Sequence, residues 1–336
     1  MLILAIETSC DETAAAIIDE EKLYCSIVYS QLDVHRKYGG VVPELASRAH
    51  LKAIIPTVEE ALQTANFKKS DLEAIAVTNG PGLAGALLVG VNFAKAMALA
   101  LNIPFIGINH LEGHIFASLL DHPSIKAPLV LLLVSGGHTL LILMKDWGNY
   151  QVIGQSIDDA VGESFDKVAK MLNLEYPGGP VIDRIAKSGN ENFHKFPRSW
   201  LHKDSLDFSF SGIKTSILYY LDSKSEDFIK DKLADIAASF QAAVTDVLLR
   251  KTMLAAKINE VKTVVLTGGV ARNSYLRQCF QEKAEVENIE LYFPSPDFCT
   301  DNAAMIGKAG LFHLNQGQTS GFELDAVPNL KLIESV

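Results

Sequence analysis

The chain of 336 residues is 48% hydrophobic and 21% charged, enough to bury a large core, and its length suits a globular protein of two domains or two lobes. Its formal charge of −10, from 30 Lys and Arg against 40 Asp and Glu, argues against a protein that coats nucleic acid through its overall field, while leaving room for a local basic path. Cys10, Cys25, Cys279 and Cys299 contain no Cys-x-x-Cys pair and are too few for a disulfide scaffold, so a reducing cytoplasm is the expected setting. The first residues, Met-Leu-Ile-Leu-Ala-Ile-Glu7, carry no basic leader. The most apolar long run, residues 85–101, contains Asn92 and Lys95. Neither a signal peptide nor a membrane-spanning helix is expected.

Taken in order, residues 2–6 read as an apolar strand, Glu7-Thr-Ser-Cys-Asp-Glu-Thr13 as a polar turn, and residues 14–18 as a returning strand. The result is a hairpin with a hydroxyl-rich tip. Tyr38 to His50 turns through Gly39 and Gly40 into a helix, with Glu44 and Arg48 in ion-pairing register. Residues 74–78 form a strand that ends in Asn79-Gly-Pro-Gly82 and opens a helix over 84–101.

Next comes Ile108-Asn-His-Leu-Glu-Gly-His-Ile-Phe-Ala117, which can be helical despite Gly113. His110 and His114 are four apart and would then face the same way, the arrangement that offers two nitrogens to one transition metal. A zinc peptidase would need a Glu directly after the first His or directly before the second; those places hold Leu111 and Gly113. Glu112 would point away from the metal face. The competing reading is a pair of ordinary histidines on a half-buried helix.

The second half repeats the plan. Residues 129–134, Ser135-Gly-Gly-His-Thr139 and residues 140–144 make another hairpin, and residues 263–266 with Thr267-Gly-Gly-Val270 make another strand that opens a helix near Ser274. Glycines at strand-to-helix turns let backbone N–H groups approach an anion, with help from the helix end that follows. One such turn is mere punctuation, but several in a duplicated order match the actin, sugar-kinase and Hsp70 (ASKHA) type of α/β fold. In that fold two lobes hold phosphates in a central cleft. The expected division is residues 1–106 with 303–336 as the first lobe, and 107–302 as the second, carrying the metal and nucleotide site.

Between the second hairpin and that last strand, Ser156 to Lys167 runs into a helix ending near Leu172 that contains Asp166. Tyr176-Pro-Gly-Gly-Pro180 reads as a rigid turn, able to contact a flat ligand or simply to reverse the chain, with Asp183 at the start of the next helix. Phe208-Ser-Phe-Ser-Gly-Ile-Lys214 offers aromatics, hydroxyls and a cation to a nucleotide, or else a core aromatic pair. Residues 226–258 carry helical apolar spacing for packing. Near the end, Asp301 either caps the helix that starts near Ala303 or supplies a carboxylate to His110 and His114.

Taken together, these blocks resemble one family, the tRNA adenosine threonylcarbamoyltransferases, also called Kae-type or Gcp proteins, in their bacterial or organellar branch. The carriers are Ile6-Glu-Thr-Ser-Cys-Asp-Glu-Thr13, Gly39 to Arg48, Gly80-Pro-Gly82, His110-Leu-Glu-Gly-His114, Val134-Ser-Gly-Gly-His-Thr139, Gly162 to Lys167, Tyr176 to Pro180, Phe208 to Lys214, Gly268 to Asn273 and Cys299-Thr-Asp-Asn302. The resemblance implies transfer of a threonylcarbamoyl group from threonylcarbamoyl-adenylate to N6 of adenosine 37 in tRNAs reading codons that begin with A, with release of AMP. It implies His110, His114 and Asp301 as ligands of iron or zinc. For the adenylate it implies Leu133, Val134, Ser135, Gly136, Gly137, Asp166, Gly179, Asp183 and Asn273, with magnesium able to accompany the nucleotide. Asp11 or Glu12 is the expected acceptor of the amine proton. Expected partners are tRNA, a smaller paralogue of the same fold and a small ATPase. The rival readings are an ATPase or kinase of the same fold and a noncatalytic scaffold in a larger assembly.

Overall fold

In the computed structural model, which describes residues 1–202 and 205–332, the chain divides into two units, Met1–Ser124 with Pro294–Val336, and Ile125–Phe293. The first is built on β1 (Ile3–Glu7), β2 (Glu12–Ile18), β3 (Leu23–Ser30), β4 (Ala74–Gly80) and β5 (Phe105–Asn109), in the order β3-β2-β1-β4-β5. The second is built on β6 (Leu129–Val134), β7 (Thr139–Asp146), β8 (Asn149–Gln155), β9 (Thr263–Thr267) and β10 (Glu290–Tyr292), in the order β10-β9-β6-β7-β8. Read from the other edge, the second order reproduces the first. In each, two antiparallel pairings make a meander and two parallel pairings follow. The duplication expected from the repeated hairpins is therefore present strand for strand.

The central strands are continuous apolar runs because both faces are covered; every residue of β1, β4 and β6 is buried. In the first unit, α1 (Leu32–Arg36) is short, while α2 (Pro43–Ala65) and α3 (Ala84–Leu101) pack against each other and the sheet. Their core includes Ile54, Val58, Leu62, Val91 and Ala94 beside Leu4, Ile6, Ile75 and Val77. The other face takes α4 (His110–Asp121) and α12 (Ala303–Leu314), with α11 (Pro296–Cys299) against α4. Among the described residues one helix, α3, is long and apolar enough to cross a membrane, but Ala86, Leu87, Gly90, Val91, Ala94 and Ala98 are buried in the protein.

In the second unit the helices are α5 (Val161–Met171), α6 (Gly178–Ala186), α7 (Ser211–Asp222), α8 (Glu226–Asp231), α9 (Leu233–Ile258) and α10 (Ser274–Glu287). Two details differ from the sequence expectation. The run 226–258 is not one helix, because Lys232 leaves helical geometry at φ −101°, ψ 13° and starts α9 afresh. Asp183 lies well inside α6 rather than at its start, because Gly178 and Gly179 already form the helix's first turn.

The division of the chain also differs from the expected one. His110, His114 and Asp301 belong to the first unit, because α4 packs along α12, which itself covers β1 and β2. Only the residues expected to hold the adenylate fall in the second.

Candidate metal centre and nucleotide unit

Helix α4 opens at His110, and the Asn109 side chain caps it by accepting from Leu111 N at 2.9 Å. It crosses α12 closely enough that a Cβ on Gly113 would stand 2.7 Å from Ile306 Cδ1. Glycine in mid-helix suits this close packing, although the atom a Cβ would meet is the end of a flexible side chain; Phe116 and Phe312 extend the contact with ring centroids 5.0 Å apart. Glu112 points off the histidine face and lies 3.0 Å from His313 Nε2 on α12.

The start of α12 shows that Asp301 is not the helix cap. Asn302 is the cap, its Oδ1 accepting from Met305 N at 3.0 Å, so the neighbouring carboxylate is not spent on the helix end. Asp301 Oδ1 lies 3.4 Å from His110 Nε2 and 3.2 Å from His114 Nε2, and the three candidate ligand atoms fall within 4.8 Å of one another. His114 is fully buried and His110 nearly so.

Behind His110 stands a carboxylate that sequence reasoning passed over. Glu7, 0% exposed, places Oε2 3.0 Å from His110 Nδ1, and Ser9 Oγ lies 3.1 Å from the same nitrogen. Thr78 Oγ1 donates to Glu7 Oε2 at 2.5 Å, and the Ser9 backbone N–H donates to Oε1. A histidine that gives its Nδ1–H to a carboxylate keeps the Nε2 lone pair for a metal. The signal in the sequence was a charged residue closing an otherwise apolar strand.

The electrostatics also call for a cation. Burial pushes the Asp301 carboxyl up, yet His110 and His114 override it and hold it well below the usual carboxylate range. Glu7 is likewise lowered by His110 against its burial. Burial pushes the His110 imidazole down, but Asp301 and Glu7 hold it well above its ordinary value. Glu7, fully buried, and Asp301, 23% exposed, thus flank the imidazoles with negative charge, a setting that favours either a proton on His110 or a bound cation. A donor set of two nitrogens and one oxygen, with an outer carboxylate, fits a divalent transition ion and leaves coordination positions for other oxygens.

The hairpin tip of the same unit carries Asp11 and Glu12. Burial pushes the Glu12 carboxyl up to about 10, with Asp301 and Asp11 adding repulsion. His50 holds the tip, with Nε2 3.0 Å from the Cys10 carbonyl and Nδ1 2.7 Å from Thr13 Oγ1. Burial lowers its proton affinity, so it is a neutral strut.

In the second unit, Leu133 and Val134 end β6, and Ser135, Gly136 and Gly137 turn the hairpin, closed by Ser135 N donating to His138 O at 2.8 Å. Among the described residues, chain neighbours aside, nothing stands within 4 Å of a Cβ built on Gly136 or Gly137, so the tip's backbone is open to a ligand. Gly162 backs the tip so closely that its Cβ would sit 2.5 Å from Ser135 O. Asp166 is committed locally: it accepts from Gly178 N at 2.7 Å, and burial keeps its carboxyl raised. Gly179 faces open space. Asp183 accepts from Ser274 Oγ at 3.0 Å, joining α6 to the start of α10. Asn273 caps α10 through Oδ1, which accepts from Leu276 N at 2.9 Å.

For Phe208 to Lys214 the plainer reading holds. Phe208 and Phe210 are buried and stacked at 6.3 Å, and Lys214 Nζ is paired with Asp159 at 2.7 Å.

A duplicated α/β chain with glycine-rich turns in both halves is an ASKHA-fold protein, and solved structures agree on the fold. Component A of (R)-2-hydroxyglutaryl-CoA dehydratase from Acidaminococcus fermentans aligns with TM-score 0.55 at 17% identity, over 94% of this chain and 98% of that one. HypF aligns with TM-score 0.62 at 15% identity, over 93% of this chain and 46% of that one. Sequence gives the particular family. Residues 22–308 match the family described as TsaD, tRNA N6-adenosine threonylcarbamoyltransferase. The Clostridium kluyveri tRNA N6-adenosine threonylcarbamoyltransferase is 51% identical over 99% of this chain and 98% of its own. That of Thermosipho africanus is 49% identical over 99% and 100%. The chain belongs to the tRNA N6-adenosine threonylcarbamoyltransferase family.

Proposed function

We propose that this chain transfers the threonylcarbamoyl group of threonylcarbamoyl-adenylate to N6 of adenosine 37 in tRNAs reading codons that begin with A, and releases AMP. The observation that carries the reading is the full-length likeness to the transferases at half identity or more. In the reaction the adenosine amine bonds to the carbamoyl carbon and the bond from that carbon to the phosphate oxygen breaks. AMP leaves with the electron pair, and one proton leaves the nitrogen. The donor is already activated, so the protein's work is alignment and charge stabilisation.

Ser135, Gly136 and Gly137 are assigned to the phosphate, whose oxygens suit the open backbone of the tip. Asp183, Gly179 and Asn273 are assigned to the nucleoside part of the adenylate. Asp166, bonded to Gly178 N, sets the start of α6 and so the position of Gly179. His110, His114 and Asp301 are assigned to one divalent ion, iron or zinc, which when bound supplies Lewis acidity toward a substrate oxygen. Of the pair Asp11 and Glu12, Asp11 is assigned to take the amine proton, because burial raises the Glu12 carboxyl to about 10 and leaves it already protonated near neutral pH.

An ATPase or kinase of this fold has no need of His110 and His114 together, which sets that reading second. The test is mass spectrometry of nucleosides from tRNA incubated with this chain, threonine, bicarbonate, ATP and an enzyme that makes the adenylate. Threonylcarbamoyladenosine is the expected product. ATP hydrolysis with unmodified tRNA would overturn the assignment.

The proposed protein partners are a smaller paralogue and a small ATPase. Helices α2 and α3 frame a groove of about 370 Å³ lined by Leu51, Ile54, Ile55, Leu88 and Phe93. Leu51 and Ile55 are more than half exposed, an apolar surface suited to helix packing by the paralogue.

A further inference from the structure

We infer that Gln241, a residue of α9 to which no role has been attached, sets the hydrogen-bonding polarity of the nucleotide unit and makes it select a ligand bearing a hydrogen-bond acceptor on its base. This deepens the adenylate assignment above and rests on it.

Leu276 sets the polarity of the first amide. Its backbone N–H lies in the first turn of α10 and needs an acceptor, which Asn273 Oδ1 supplies at 2.9 Å. That bond decides which end of the Asn273 amide is oxygen, since a flipped amide would set two donors face to face. Asn273 Nδ2 must then donate, and it does so to Gln241 Oε1 at 2.7 Å. The same logic passes to the next amide. With its oxygen turned to Asn273 and one lone pair held there, Gln241 keeps both N–H donors of its NH₂ group for other partners.

Gln241 is 3% exposed, and the space it borders is a cavity of about 510 Å³ in the second unit. Ser274, Tyr275, Lys187 and Glu191 border the same cavity. Ser274 also donates to Asp183. The cavity therefore adjoins two of the positions assigned to the adenylate, Asp183 and Asn273. A buried amide whose polarity is fixed by a helix cap is a directional reader. It favours a ring nitrogen or other acceptor and penalises a group that brings a donor or a C–H to the same point, because a buried N–H left unpaired is costly. Adenine presents such acceptors at N1, N3 and N7.

Calorimetry on the full chain with AMP and with its 1-deaza, 3-deaza and 7-deaza analogues tests this. Each analogue replaces one ring nitrogen by C–H. In the unaltered protein one analogue is expected to bind about tenfold more weakly than AMP, the scale of one buried hydrogen bond. In Gln241→Leu that gap should disappear, while AMP itself binds more weakly. Gln241→Met, unbranched and of matching length, serves if Gln241→Leu does not fold. A deaza gap equal in the variant and the unaltered protein, or no gap in either, overturns the role of Gln241 alone. Failure of the unaltered protein to bind AMP overturns the nucleotide assignment itself, and this inference with it.

Discussion

Glu7 shows how a residue outside the proposed metal trio can set the state of one of its members, His110. By accepting from His110 Nδ1 it fixes the ring's tautomer and adds negative charge behind the ligand. Glu7→Gln keeps the shape and weakens both effects, so metal affinity should fall by roughly 10–100-fold with the fold retained. Competition with a chelator of known affinity measures this. The three proposed ligands come from distant parts of the chain, and two imidazoles alone would make an incomplete site. Asp301→Ala and His114→Ala should each lose stoichiometric metal while circular dichroism stays unchanged. Wild-type metal content in Asp301→Ala, by elemental analysis, would remove that residue from the centre. Glu112→Gln should leave metal content intact, because Glu112 is engaged with His313 on the opposite side of α4. By the same geometry the chain should not cleave peptides. Metal-dependent cleavage that vanishes in His110→Ala would contradict this.

The glycine-rich elements act through their backbones, and two of the second unit's glycine turns, the hairpin tip at Gly137 and the turn after β9 at Gly268, behave differently. Gly137 has open space where a side chain would project, so Gly137→Val should fold normally and weaken AMP binding by filling the approach to the N–H groups. Unchanged affinity by calorimetry would move the nucleotide elsewhere. Gly268, at φ +92° and with a would-be Cβ 2.4 Å from Val134 O, is a structural requirement instead, and substitution there should cost folding. The loop that backs the tip is held by Asp159, which pairs with Lys167 at 2.8 Å and Lys214 at 2.7 Å. Burial pushes the Asp159 carboxyl up, but the two lysines hold it below its ordinary value. Its stabilisation is therefore present above about pH 4 and lost as pH falls through the lowered value. Asp159→Asn should lower stability by about 1 kcal/mol at pH 7, a modest figure for a pair partly open to solvent. Urea melts should show that difference closing in acid.

The same scale shows what could be read beforehand. The paired hairpins were legible because apolar strands flank polar tips, and α3 was legible end to end because Ala84 to Leu101 is bounded by glycine turn and Asn102. Edge strands β3, partly buried, and β8, mostly exposed, are weakly patterned and were not. Glu7 and Gln241 were not legible either, since their roles depend on partners about a hundred and about thirty residues away in the chain.

Charge is distributed unevenly over the whole molecule. Two thirds of the basic residues lie in the second unit, along with about half of the acidic ones, so the net −10 is carried almost wholly by the first unit. A tRNA is a polyanion, and affinity for it rests on several Lys or Arg contacts to phosphate. The isolated chain offers no basic run to provide them, and candidates such as Arg36, Lys37 and Lys195 are scattered through the sequence. Several of the second unit's cations are also committed, Lys167 and Lys214 to Asp159 and Arg198 to Asp246. We therefore expect efficient modification of tRNA to need partner proteins, with the apolar groove of α2 and α3 as the place where the paralogue packs. Two measurements at physiological salt check this together. The isolated chain should bind tRNA weakly and turn over little, and the partners should raise both. A double change on the groove, Leu51→Glu with Leu88→Glu, should abolish that gain while leaving AMP binding by the second unit intact. Submicromolar tRNA affinity with multiple turnovers by the chain alone would sink the idea, as would full activation by the partners after the groove has been made acidic.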